Sequence, residues 1–149
     1  RDRKMQQGAK ANFTGKQFER RVQALLLEAG HNVDEPPRYE AVWGTGRGRN
    51  QADKWLKDSD IQIELKYQAV PGTCDQKPFS ELWNAKERIS CNHYILVLGG
   101  PHWDSVRGKN IYKAAREMAG LLNNGIHESK GAKKLSVMNL PEFKEWISE

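Results

Sequence analysis

Asp53 precedes Glu64-Leu65-Lys66 by eleven positions, and these residue types at this spacing can hold a divalent cation beside a phosphate. Phosphodiester cleavage needs an in-line nucleophilic water and relief of the charge that builds on the phosphate. Mg²⁺ serves both ends when carboxylates hold it while substrate and water complete its octahedron. Asp53 and Glu64 are the candidate ligands, and the backbone carbonyl of Leu65 can add a further oxygen. Lys66 can approach the attacking water or the scissile phosphate, where its ammonium would acidify that water or hold it in line.

The elements around these residues must bring them together. Strand side chains repeat their facing every second residue, so Ile61, Ile63 and Leu65 share one face while Gln62, Glu64 and Lys66 share the other. Gln51 to Leu56 and Ile61 to Lys66 are expected to pair as an antiparallel hairpin around Lys57-Asp58-Ser59-Asp60, with Asp53 on the first strand. Before them, Thr14 and Gln17 read as a capping box, and Phe18, Val22, Leu25, Leu26 and Ala29 form a helical apolar stripe closed by Gly30. The spacing predicts a helix over 15–29, and Tyr39 to Trp43 reads as a short strand. A second helix is expected through Phe79, Leu82, Trp83, Ala85, Lys86 and Ile89, then a buried central strand from His93 to Leu98. The last third reads as a helix over 110–122, a short strand at 135–138 and a helix begun by Pro141. Helix, three strands, helix, strand and a helical extension describe an α/β chain with a mixed sheet.

The length of 149 residues suits one domain that buries its core without staples. Residues 1–12 are basic and aperiodic and read as a mobile arm, 14–100 as the catalytic core, and 101–149 as an extension. A net charge of +5 and a pI near 9.3 suit a polyanionic partner. Cys74 and Cys91 lack any CxxC pattern, which argues against a zinc site or a disulfide framework and for a reducing compartment. Cys91-Asn92-His93 leads into an apolar strand and reads as core packing. No apolar run nears the roughly 20 residues of a membrane span, and no signal peptide is visible, so a soluble intracellular protein, cytoplasmic or nucleoid-associated, is expected.

Asp53…Glu64-Leu65-Lys66 resembles the signature of the PD-(D/E)xK nuclease superfamily, which includes many restriction enzymes and archaeal and phage Holliday-junction resolvases. The resemblance covers about residues 14–100 and extends to element order, since that family is built on a restriction-endonuclease-like αβββαβ core. Ala52 departs from the proline that often precedes the first acid there. The resemblance implies a Mg²⁺-dependent DNA endonuclease, with Mn²⁺ as a substitute. Phe18-Glu19-Arg20-Arg21 is similar to a helix element that carries a metal-site glutamate in this superfamily, which implies that Glu19 contacts the metal directly or through water. The expected substrate is duplex DNA cut site-specifically, as by a restriction or homing enzyme, by a homodimer whose two sites cut two strands. A structure-selective junction resolvase and a catalytically inactive nucleic-acid-binding module are the alternatives.

Other residues are candidates for the DNA interface. Gly44-Thr45-Gly46-Arg47-Gly48-Arg49 lacks the Gly-Lys-Ser/Thr ending of a phosphate-binding loop. Its position suggests either that Arg47 and Arg49 track a DNA backbone or groove, or that the loop is merely flexible. Gln68 continues the Glu64–Lys66 face toward a phosphate, and Lys86 and Arg88 on the second helix are candidates to neutralise phosphates. Asp60 and Asp34 are rival first carboxylates, and His102 is not expected to be a catalyst.

Overall fold

Apolar periodicity sets the layers. A computed structural model describes residues 2–42, 50–71, 73–125 and 130–149, with side chains described from residue 14 onward except those of residues 73 and 74. The elements are α1 (Asp2–Glu28), β1 (Arg38–Tyr39), β2 (Asn50–Gln51), β3 (Lys54–Leu56), β4 (Ile61–Tyr67), α2 (Lys77–Arg88), β5 (His93–Gly99), α3 (Val106–Asn123), β6 (Leu135–Asn139) and α4 (Leu140–Ser148). One mixed sheet has the order β3-β4-β5-β6: β3 is antiparallel to β4, while β4, β5 and β6 are parallel. Parallel strands need crossovers, which α2 and α3 supply.

β5 shows why both faces are covered. Tyr94, Leu96 and Leu98 pack on one side with Leu82, Ala85 and Ile89 of α2 and Ala115 and Ala119 of α3. Ile95 and Val97 pack on the other side with Phe18, Val22 and Leu26 of α1 and Phe143 and Ile147 of α4. A strand buried on both faces has no room for alternation with polar residues, which is why it reads as a continuous apolar run. β4 differs from it. Ile63 faces α1 and α4, whereas Gln62, Glu64 and Lys66 lie in register with Tyr94, Leu96 and Leu98 and so face the α2 side.

Several expectations change at this level. The helix expected over 15–29 extends back to Asp2, so residues 2–12 are helical and Thr14 lies inside the helix. No proline interrupts residues 2–28, and the helix passes through Gly8 and Gly15. The strand expected at 39–43 is only Arg38–Tyr39, which pairs with Asn50–Gln51 in a separate two-stranded ribbon. Trp43 lies outside the described residues. The last third is no appendage. β6 joins the main sheet, and α3 and α4 cover its opposite faces, because Leu135, Val137, Phe143 and Ile147 are core residues. The hairpin is as expected: Lys54 to Leu56 pair with Ile63 to Ile61, and Asp60 takes φ 54° in the turn. Cys91 is buried in the core.

Candidate functional site

Asp53 sits in a bend one residue before β3 rather than on a strand, yet β4 pins it from both sides. Its N–H donates to the Ile63 carbonyl at 3.1 Å, and its Oδ2 accepts from the Leu65 N–H at 2.7 Å. These two bonds straddle Glu64 and bring the two carboxyl groups within hydrogen-bonding reach of one another. The Leu65 peptide thus positions Asp53 through its amide. Asp53 is exposed and Glu64 is only 7 % exposed, so the pair spans the step from solvent to interior.

Lys66 lies two residues along the same face, with Nζ 3.4 Å from Glu64 Oε2. It also lies 3.6 Å from Oε1 of Glu81, a residue on α2 that the sequence pattern did not single out. Glu81 has no motif around it, and only the packing of α2 on β4 reveals it. Tyr39 and Tyr94 border the group. Burial first, and then the charges of Glu81, Glu64 and Asp53, push the Tyr39 hydroxyl up. Burial and the same acids push Tyr94 up as well. The Tyr94 hydroxyl and Gln62 Oε1, on neighbouring strands in register, are buried without a hydrogen-bond partner.

The electrostatics of the group lack a cation. Three carboxylates meet one ammonium. Burial, then the hydrogen bond to Asp53 and its charge, push Glu64 from the ordinary 4.5 up to about 10, and Lys66 only partly offsets this. Burial alone would depress Lys66, but Glu64 and Glu81 outweigh it and hold its ammonium above the ordinary value. In the protein alone Glu64 therefore keeps a proton at neutral pH. A divalent cation would displace that proton and supply the missing charge. Among the described residues no group of three or more His, Cys, Asp or Glu is arranged to hold a metal ion. Two carboxylates do fit Mg²⁺, which keeps several of its waters and binds through one or two carboxylates plus phosphate oxygens. The partnerless Tyr94 hydroxyl beside the acids fits the same environment.

Other expected residues are placed elsewhere. Glu19 is half exposed and pairs with Lys54 at 3.6 Å, not with Asp53, Glu64 or Lys66. Gln68 lies just past β4, and its side-chain amide donates to the Val70 carbonyl at 2.8 Å. Lys86 is 7 % exposed, so it does not present a free phosphate-binding face, whereas Arg88 is exposed. Arg47 and Arg49 lie outside the described residues. Asp60 accepts the Trp55 indole N–H at 3.1 Å, and Asp34 bridges to the Trp55 backbone, so neither rival joins the acids. His102 is buried, with Nε2 2.8 Å from Asp75 Oδ1, while Arg107 reaches the other oxygen of Asp75 at 2.5 Å. That trio ties the turn before α2 to the start of α3.

Comparison of the chain with known protein families, with curated proteins and with solved structures finds no match. The functional reading therefore rests on the residues and their geometry.

Proposed function

We propose that the protein is a metal-dependent endonuclease that hydrolyses DNA phosphodiester bonds at the Asp53–Glu64–Lys66 centre. The observation that carries this reading is the pinning of Asp53 beside Glu64 by the Leu65 amide, with Lys66 on the same face. Asp53 and Glu64 would hold Mg²⁺, or Mn²⁺ in its place. The bound cation supplies positive charge against the phosphate oxygens and acidity toward water. Asp53, exposed at the rim, meets the incoming phosphate side. Glu64, deeper, would give up its proton to hold the cation as the anchoring carboxylate. Lys66 turns its ammonium toward the phosphate or the attacking water and holds the latter in line.

A basic chain suits a polyanionic substrate, and two cuts in a duplex are served by a homodimer with one site per strand. Site-specific cleavage of duplex DNA is the substrate reading. Glu19 pairs with Lys54 rather than with the acids of this centre. No helix among the described residues is long and apolar enough to cross a membrane.

The test is incubation with Mg²⁺ or Mn²⁺ and a panel of long duplex, four-way junction, single-stranded DNA and RNA. A discrete duplex cut that Asp53→Ala and Lys66→Ala each abolish is the expected result. Selective junction cutting would move the substrate to branched DNA. Binding without cleavage by the wild type would make the chain a binding module, and cleavage by both variants would place the chemistry elsewhere.

A further inference from the structure

We infer that Glu81 is a positioning residue that holds the Lys66 ammonium once a cation has claimed Glu64. The inference rests on the metal-dependent reading of the same centre. Lys66 Nζ lies between two carboxylates, 3.4 Å from Glu64 Oε2 and 3.6 Å from Glu81 Oε1. In the protein alone both groups touch it, and Glu81 supplies the counter-charge while Glu64 holds its proton. They are not equivalent, because Glu64 belongs to β4, whose backbone pins Asp53, while Glu81 belongs to α2. The backbone around Glu81 is fixed by Leu82 and Ala85, both fully buried against the sheet. Its side chain is 18 % exposed and that of Lys66 is 29 % exposed, so water does not readily replace either partner.

A cation changes what Lys66 experiences. Its positive charge would repel the ammonium, and the Glu64 oxygen that met the ammonium would turn to the cation. A long, flexible side chain with no remaining counter-charge would swing to solvent. Glu81 prevents this by supplying a carboxylate anchored in another element, α2. The ion pair between α2 and β4 also has a simpler role, fixing the helix to the sheet. The two roles differ in one respect: a pair that only fixes the helix does not strengthen when a cation binds.

The experiment is a double-mutant cycle of Glu81→Gln and Lys66→Met, read by urea unfolding of the full chain in EDTA and in saturating Mg²⁺. The folded-to-unfolded ratio should show a coupling of about threefold in EDTA, rising to about tenfold or more in Mg²⁺. A wild-type midpoint that shifts with Mg²⁺ while the coupling stays constant or falls overturns the inference alone. A wild-type midpoint indifferent to Mg²⁺ and Mn²⁺ overturns the metal reading and the inference with it.

Where the wild type cleaves DNA, single-turnover rates add a second reading. Glu81→Gln should lower the rate at saturating DNA about tenfold or more, with DNA affinity equal or tighter because a negative charge has gone. Glu81→Asp should restore part of the rate, and Glu81→Gln should cost nothing further in a Lys66→Ala background. An unchanged rate overturns the positioning role. A rise of tenfold or more in the Mg²⁺ needed for half-maximal rate would make Glu81 a metal ligand instead, and overturns it too.

Discussion

Replacing Glu64 by Gln should stabilise the metal-free protein, and more so as the pH rises. Glu64 is nearly buried, and burial followed by the hydrogen bond and charge of Asp53 raises its carboxyl to about 10. The folded protein then keeps a proton that the unfolded chain releases above the ordinary value of 4.5. The sign follows from the raised folded pKa. The stability from this group is fully present below 4.5 and is lost as pH climbs toward about 10. A difference of one bound proton changes stability by about 1.4 kcal/mol per pH unit. Between pH 6 and pH 8 the advantage of Glu64→Gln should therefore grow by about 3 kcal/mol. Gln keeps the shape and a hydrogen-bonding group but never ionises, so titrating groups remote from Asp53, Lys66 and Glu81 cancel in the comparison. The measurement is urea unfolding followed by tryptophan fluorescence in EDTA at several pH values. A variant less stable than wild type at pH 8, or a difference that does not grow with pH, would refute the reasoning. Mg²⁺ should reverse the order. Ligand at a hundred times its Kd stabilises the wild type by about 2.7 kcal/mol, and the variant, lacking the ionisable ligand, should gain much less.

Four further outcomes are expected. Burial, and then the charge of Lys134, lower His93 to about 4, with its Nε2 2.7 Å from Ser136 Oγ. Stability from His93 is thus present above 6.5 and lost as pH falls through about 4; the loss should be about 1–2 kcal/mol after screening of this partly exposed ring, and His93→Asn should remove it in acid unfolding titrations. Gly108→Ala should destabilise by about 3 kcal/mol or more in chemical denaturation, because a Cβ there would overlap the backbone of His102. Asp60→Ala should cost about 1–2 kcal/mol in the same assay, since it removes the Trp55 indole acceptor and places alanine at φ 54°. Lys86→Ala should cost about 1–2 kcal/mol by loss of packed stem without weakening DNA retention, while Arg88→Ala should leave stability within about 0.5 kcal/mol; equal stability effects would show that burial does not separate the two.

The difference between Lys86 and Glu81 shows where local pattern stops. Lys86 was grouped with Arg88 as a phosphate contact because both are basic. Yet it is four residues from Leu82 and three from Ile89, the spacing that places a residue on the buried stripe. Helical periodicity already contained that answer. Glu81 is different, because no spacing within α2 indicates that Lys66 will face it. Glu19, on a helix element that resembles a metal-binding one, has its carboxylate met by Lys54. At the start of α1, Thr14 and Gln17 have the types of a local cap, yet the segment continues as helix through them.

Alternation along β4, the hairpin turn and the apolar stripe of α1 were legible in the chain, as was the pairing of Asp53 with Glu64 on adjacent backbone. These features depend on covalent geometry and on bonds between near neighbours, which a residue's type and spacing encode. The pairing of Glu19 with Lys54, the entry of Glu81, the burial of Tyr94 beside the acids and the promotion of the last third into the sheet needed the packed fold. Each depends on how elements far apart in sequence are set against one another. Coulomb forces act on distances through space, and those distances exist only once α2 and β6 have packed.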